Sequence, residues 1–298
     1  MRADAPVGRL DEAYCAPLIP RRDARSHKFD HGTLVCVAGS LDYAGAALLC
    51  GQAAVRGGAG LVALAVPRSL QPVLAGRVPE AITIGLPEVA DGQPDPERAV
   101  AAILEREPAA LVLGPGLNES RAYELLLMEL LTRAGVPCVV DAGALTMLAL
   151  GEAWSTRVPA GQCVLTPHAG EFARLDGSPP GESDEERVAR SRAAARRFGQ
   201  VVVLKGAHTV VAHADRAAVA PFANAALATA GSGDVLAGLI GALLAQGLST
   251  FDAACLGVYL HGRAGQRLSE SLGDAGLLAS DLPYQIALAR SELAGRGR

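Results

Sequence analysis

The chain has 298 residues and no uninterrupted run of about 18 apolar residues, so no membrane-spanning helix is expected. Its opening segment, MRADAPVGRLDEAYC, lacks the apolar stretch of a signal peptide. Aromatic residues make up only 4% of a chain that is 50% hydrophobic, so the core must be built from Ala, Val and Leu. The six cysteines (Cys15, Cys36, Cys50, Cys138, Cys163 and Cys255) include no CxxC pair, and Cys36, Cys138 and Cys163 fall in apolar, strand-like runs. That pattern reads as buried, reduced thiols in a cytoplasmic protein. A net charge of −4 without a basic face gives no reason to expect nucleic acid. No GxxxxGK[ST] P-loop is present, which argues against a Walker-type ATPase, and Gly57-Gly58-Ala59-Gly60 is not the GxGxxG of a hydride-transferring dinucleotide enzyme. No His/Cys cluster has zinc-ligand spacing. Lysine is scarce too: of 27 basic residues only Lys28 and Lys205 are lysines. Both sit in glycine-containing segments, which hints that an ammonium is specifically needed there.

What the chain does have is a repeated alternation of short apolar runs with helix-like runs. Strands are expected at 34–38, 61–66, 81–84, 109–113, 138–140, 163–165 and 201–204. Helices are expected at 45–56, 96–106, 121–133 and 184–198. The alternation predicts an α/β fold with a mainly parallel central sheet covered by helices on both faces. Residues 210–212 and 217–220 read as a hairpin at the sheet edge, followed by helices at 234–246, 250–269 and 280–291. Residues 1–25 are polar and read as a loose lead-in. No linker or repeat interrupts residues 26–298, which are expected to form one domain.

The richest segment is NAALATAGSGDVLAGLIGALLAQG, residues 224–247. Gly231-Ser232-Gly233 forms a glycine turn, and Asp234 falls in the first turn of a helix whose residues Val235, Leu236, Leu239, Ile240, Leu243 and Leu244 make an apolar stripe. Gly247 supplies a stop. Backbone N–H groups at such a helix start, together with the helix dipole, make an anion site. A carboxylate there can orient or deprotonate a hydroxyl that attacks phosphorus. The plainer alternative is a glycine turn with an acid favouring a helix start.

Ligands of open α/β sheets bind beyond the carboxyl ends of the strands. Five polar or glycine-rich motifs follow strands directly: Ala38-Gly39-Ser40, leading to Ala44–Ala47; Gly114-Pro115-Gly116; Asp141-Ala142-Gly143; Thr166 to Glu171; and Lys205-Gly206. Each is weak alone, and five on one edge are a strong signal. His168 reads either as a loop histidine capping a helix or as a substrate neighbour. Glu171 is first-turn helix charge or the holder of a metal-bound water. Asp141 is a turn residue or a second carboxylate near Mg²⁺. Lys205 is a solvated strand end or a compact positive charge for a nucleotide phosphate or sugar.

Taken in order, these segments resemble the NAD(P)H-hydrate dehydratase family, carbohydrate-kinase-like repair enzymes of ribokinase-like fold. The resemblance spans roughly residues 26–291 and rests on HK at 27–28, AGAA at 44–47, GAGLV at 58–62, PE at 79–80, LGPGL at 113–117, LTPHAGEFARL at 165–175, VVVLKGAHT at 201–209, ATAGSGDVLAG at 228–238, YLHGRAG at 259–265 and LLASDL at 277–282. It implies a three-layer α/β/α domain that dehydrates the S-epimer of hydrated NADH or NADPH (NADHX, NADPHX) at the expense of a nucleotide phosphate. By resemblance Asp234 is the base and Gly231, Ser232 and Gly233 stabilise the developing charge. Ala46, Gly116, His168 and Asp234 contact the hydrate, while Lys205, Gly206, Ala207, His208, Thr209 and Gly233 contact the adenine nucleotide. Mg²⁺ is the implied cofactor, with Glu171 a ligand through water.

Family members use ADP in bacteria and archaea and ATP in eukaryotes. The arginine and alanine bias points to a GC-rich bacterial genome and therefore to ADP, with release of AMP and phosphate. Homo-oligomerisation and functional pairing with a separate epimerase are further expectations. The chain departs from the family pattern at Phe29 (usually Gly), Gly143 (usually Asp), Thr146 (often Asn) and Ala225-Ala226 (commonly Pro-Gly). The alternatives are a hydroxymethylpyrimidine- or hydroxyethylthiazole-type kinase of the same fold, which would leave phosphate on its product, and a nucleotide sensor without turnover.

Overall fold

A computed structural model describes residues 6–90, 92–151 and 153–296. Ten strands form one sheet: β1 (Gly8–Arg9), β2 (Thr33–Val37), β3 (Leu61–Pro67), β4 (Ile82–Leu86), β5 (Ala110–Leu113), β6 (Cys138–Val140), β7 (Cys163–Leu165), β8 (Val201–Leu204), β9 (Val210–His213) and β10 (Arg216–Val219). Their spatial order is β1-β10-β9-β8-β7-β6-β5-β2-β3-β4. β9 runs antiparallel to both neighbours and the other pairings are parallel. The longer helices are α1 (Ala44–Gly57), α2 (Pro96–Leu104), α3 (Arg121–Arg133), α4 (Gly143–Leu150), α5 (Ala169–Asp176), α6 (Asp184–Phe198), α7 (Ser232–Ala245), α8 (Thr250–Leu272) and α9 (Leu282–Arg296). No helix among the described residues is long and apolar enough to cross a membrane.

The sheet is buried on both faces, which explains why its strands read as continuous apolar runs. Strand alternation then divides each run between two cores. Leu34 and Cys36 of β2 pack with α1, α7, α8 and α9, while Val35 and Val37 pack with α2 to α6. α7 lies between the sheet and its covering helices, so every residue from Val235 to Ala245 is buried, not only the apolar stripe expected from sequence. It fits because Gly238 has no side chain: a Cβ there would lie 2.1 Å from the carbonyl oxygen of Cys50 on α1.

The segment read as a lead-in is built into this frame. Gly8 and Arg9 pair with Ala218 and Val219, and Leu10, Cys15 and Ile19 are buried. The expected hairpin at 210–220 therefore forms but is not the edge, because β1 covers β10. Helix α4 joins those expected from sequence, and α5 is the helix that His168 was read as capping.

The chain passes from β2 outwards through β3 and β4, then returns to β5 on the other side of β2. That reversal, a switch point, opens the carboxyl edge of the sheet to a ligand.

Candidate active site

All five strand-terminal motifs meet on the carboxyl edge, and they divide into two groups. Asp141 after β6, His168 and Glu171 after β7 and Lys205 after β8 line one cleft of ≈ 940 Å³. Gly231, Ser232, Gly233 and Asp234 at the start of α7 face it, and Phe222, Leu227, Leu236 and Val258 supply apolar wall. The motifs after β2 and β5 form an adjoining crest. There the Gly39 N–H donates to Pro115 O at 2.8 Å, and Ala46 lies against Gly116, where a Cβ would come within 2.6 Å of the Ala46 Cβ. Ala46 and Gly116 do not line the cleft itself. The two groups adjoin through α1, whose Leu49 packs against Gly231.

The α7 start is an open helix end. Gly231 is its cap, in a left-handed conformation (φ 88°) that glycine adopts without cost, and no side chain caps it. Of the first-turn N–H groups, that of Ser232 donates to the Thr229 carbonyl at 3.3 Å, while those of Gly233 and Asp234 have no carbonyl partner within the helix, and both residues line the cleft. Asp234 is the third residue of that turn. Burial, then the nearby carboxylate of Asp141, with that of Glu171 adding, pushes its carboxyl up to about 7 against the opposing pull of Lys205.

Lys205 holds the centre. Its Nζ donates to Asp141 Oδ1 at 2.8 Å and lies 3.8 Å from Glu171 Oε2. Burial works to lower its proton affinity, but Asp141 and Glu171 outweigh it, so the ammonium is held above the ordinary lysine range. Asp141 also accepts from Thr166 Oγ1 at 2.7 Å. The chain reaches this position by a tight path: Ala142 has φ 47°, unusual for a residue with a side chain, and Gly114 leaves room for the Asp141 carbonyl, 1.9 Å from where a Cβ would sit. Thr166 carried no role in the sequence reading, and only its place beside Pro167-His168 could have suggested one.

The capping reading of His168 holds, and the same ring borders the cleft. Its Nδ1 accepts from the Gly170 and Glu171 N–H groups while Glu171 Oε2 accepts from the His168 N–H at 2.8 Å, a reciprocal cap on α5. The ring is half exposed and still lines the cleft. Of the 205–209 segment, Lys205, Gly206, Ala207 and Thr209 line the cleft and His208 does not; its ring bonds Asp184 Oδ2 at 2.8 Å.

Among the described residues, no three His, Cys, Asp or Glu side chains converge to cage a metal. Asp141 Oδ1 and Glu171 Oε2 already serve Lys205, Thr166 and the His168 N–H. This donor set suits a largely hydrated Mg²⁺ that arrives on phosphates and needs only one or two carboxylates.

Of the departures, Gly143 has a physical reason in the packing. Gly143 leaves room for the Leu117 carbonyl, 2.4 Å from where its Cβ would be. Ala225 and Ala226 sit in a short turn capped by Asn224, whose Oδ1 accepts from Ala226 N and whose amide donates to Ser269 Oγ. Phe29 precedes β2, on the sheet edge opposite the cleft, and is 65% exposed.

The chain is similar to known proteins in sequence and fold. The NAD(P)H-hydrate dehydratase family model matches residues 34–287. The bifunctional NAD(P)H-hydrate repair enzyme Nnr of Moorella thermoacetica is 42% identical over 304 residues, covering 97% of this chain and 56% of that protein. The ADP-dependent (S)-NAD(P)H-hydrate dehydratase of Xanthomonas campestris pv. campestris is 37% identical over 262 residues, 87% of this chain and 88% of that one. A crystal structure of the Bacillus subtilis ADP/ATP-dependent NAD(P)H-hydrate dehydratase, co-crystallised with ATP/Mg²⁺, superposes with a TM-score of 0.82 at 32% identity, covering 96% of this chain and 99% of that one. The chain spans about half the length of the bifunctional relatives it matches.

Proposed function

This chain belongs to the NAD(P)H-hydrate dehydratase family, and on that premise we propose that its cleft dehydrates the S-epimer of NADHX or NADPHX, using ADP and releasing AMP and phosphate. The observation that carries the proposal is Asp234: a carboxyl raised to about 7, in the first turn of an uncapped helix, beside a glycine turn and an ammonium.

In this reading the hydroxyl of the hydrated ring gives its proton to Asp234 while its oxygen attacks the terminal phosphorus of the nucleotide. The bond from that phosphorus to the bridging oxygen breaks, and AMP leaves with the oxygen. The N–H groups from Gly231 to Asp234 stabilise charge on the transferring group, and Lys205 adds a fixed positive charge. The ring phosphate ester then loses its carbon–oxygen bond and a proton from the neighbouring carbon. That restores the ring double bond and frees phosphate.

Ala46, Gly116 and His168 are assigned to the hydrate. Lys205, Gly206, Ala207, His208, Thr209 and Gly233 are assigned to the nucleotide, His208 through its backbone because its ring is engaged by Asp184. Mg²⁺ bound with the nucleotide would be held by Glu171 or Asp141 through water, and it supplies neutralisation of phosphate charge. The domain is taken as one ribokinase-like unit, extended from residues 26–298 to include β1 and the buried Leu10, Cys15 and Ile19, acting in the cytoplasm as a homo-oligomer and alongside an epimerase.

ADP as donor is supported by the Xanthomonas relative, and the Bacillus structure with ATP/Mg²⁺ keeps the other nucleotide in play. The test is recovery of NADH absorbance from NADH hydrate with Mg²⁺ and ADP, ATP or no nucleotide, with phosphate release followed in parallel. Recovery with matching phosphate supports the reading. A phosphorylated alcohol that accumulates without phosphate release would make the protein a kinase.

A further inference from the structure

The YLHGRAG segment at 259–265 has no role in the steps above. His261 lies in the middle of α8, is 8% exposed, and lines the cleft behind the phosphate-facing turn. Its Nε2 lies 3.1 Å from the Ser232 carbonyl oxygen and 3.2 Å from Ser232 Oγ. A carbonyl oxygen can only accept, so the bond to the Ser232 carbonyl requires the tautomer protonated on Nε2, whereas the other tautomer would leave Nε2 to accept from Ser232 Oγ. Burial, with Lys205 adding to it, lowers the proton affinity of the ring to about 4, so the imidazole stays neutral at any working pH.

The glycines of the segment belong to the same brace. A Cβ at Gly262 would lie 2.2 Å from the Phe222 ring, and one at Gly265 would lie 2.6 Å from Leu227. α8 thus presses on the chain leading into the turn through two glycines, and it holds the first residue of α7 through His261. That residue needs holding from behind, because Gly231 offers no capping side chain.

We propose that His261 is a positioning residue: a neutral donor that fixes Ser232, and with it the N–H groups of the Gly231–Asp234 turn, in place for the transferring phosphoryl group. The inference rests on the dehydratase reading for its effect on rate, but not for the hydrogen bond itself. A neutral imidazole suits the position because it donates without adding a second cation beside Lys205. Donors aimed at developing charge are worth about 10²–10³ in rate when removed outright, and displacement by about 1 Å costs on the order of 10². Loss of an indirect brace should therefore cost about ten- to a hundredfold.

The test compares His261→Leu and His261→Gln in the full chain, together with the ¹⁵N spectrum of the imidazole in the unaltered protein. His261→Leu should lower kcat about ten- to a hundredfold while KM for the hydrate stays within about twofold. His261→Gln, whose amide N–H replaces Nε2–H, should recover most of the loss. The spectrum should show a neutral ring protonated on Nε2 from pH 5.5 to 8. Wild-type kcat in His261→Leu, equal losses in both variants, an Nδ1-protonated ring, or titration near the ordinary histidine value would each overturn the proposal. If His261→Leu fails to fold, the spectrum decides. If the unaltered protein dehydrates no hydrate, the functional reading fails while the spectrum still tests the bond to Ser232.

Discussion

Replacing Asp234 by asparagine should do two opposite things: remove turnover and stabilise the fold. The carboxyl titrates near 3.8 when unperturbed and at about 7 in the folded chain. Between those values the folded state keeps a proton that the unfolded state has lost. Stability is therefore fully present below pH 4, falls as pH rises through the window from about 4 to 7, and is flat above it. The whole gap corresponds to about 4 kcal/mol. Asp234 opens onto the cleft, where water screens it, so about 1–2 kcal/mol is the expected size. Asparagine has nearly the same shape and does not titrate. Lys205 is not stranded by the change, since Asp141 and Glu171 still face it. Denaturant unfolding should find Asp234→Asn more stable than the unaltered protein by about 1–2 kcal/mol at pH 8 and nearly equal to it at pH 4. Turnover should fall about 10²–10⁴-fold with nucleotide binding intact. Equal stability at both pH values, or a less stable variant at pH 8, would refute the electrostatic reasoning. Wild-type turnover would refute the chemistry.

Other outcomes follow from the same geometry. Lys205→Met leaves Asp141 buried without its cation and should cost about 3 kcal/mol in unfolding measurements; it should also raise the Asp234 titration midpoint above 7, read from its carboxyl ¹³C shift, because the opposing charge is gone. Gly238→Ala drives a methyl group into the Cys50 carbonyl and should cost about 1–3 kcal/mol, seen as a lower denaturation midpoint. The cysteines are buried, and burial pushes the Cys15 thiol up to about 12, so a water-soluble thiol reagent should label the native protein only after unfolding.

The clearest parts of the fold in the sequence were those whose signal is local. β6, β7 and β8 match their expected bounds because they are apolar on both faces. α3 and α6 match because Ser120 and Ser183 cap them, the latter reciprocally with Glu186. α4 was missed because GALTMLAL is apolar all round and shows no helical period, whereas the start of α5 was anticipated through His168 as its cap and Glu171 in its first turn, though without a range. β1 is two residues long with partners near position 218, so nothing nearby announces it. The site was legible residue by residue, since Asp141, His168, Glu171, Lys205 and Asp234 all stood at strand or helix ends. Their pairing was not: the Asp141–Lys205 bond joins residues 64 positions apart. His261 went unassigned because a histidine inside an apolar helix looks like any core residue until the element beneath it is known.

The strand that covers β10 has a consequence for how the molecule is made. Of the strands of this sheet, β1 leaves the ribosome first and is one of the last that can dock, because its partners Ala218 and Val219 are synthesised after most of the sheet. Until they appear, β1 has nowhere native to pair, and once they appear the β10 edge stays open until β1 closes over it. Closing so long a loop is a slow, entropically costly step. The nascent chain therefore passes through a stage in which a nearly finished sheet exposes the β10 edge in addition to β4, the point at which it is most open to a neighbouring chain and to a chaperone.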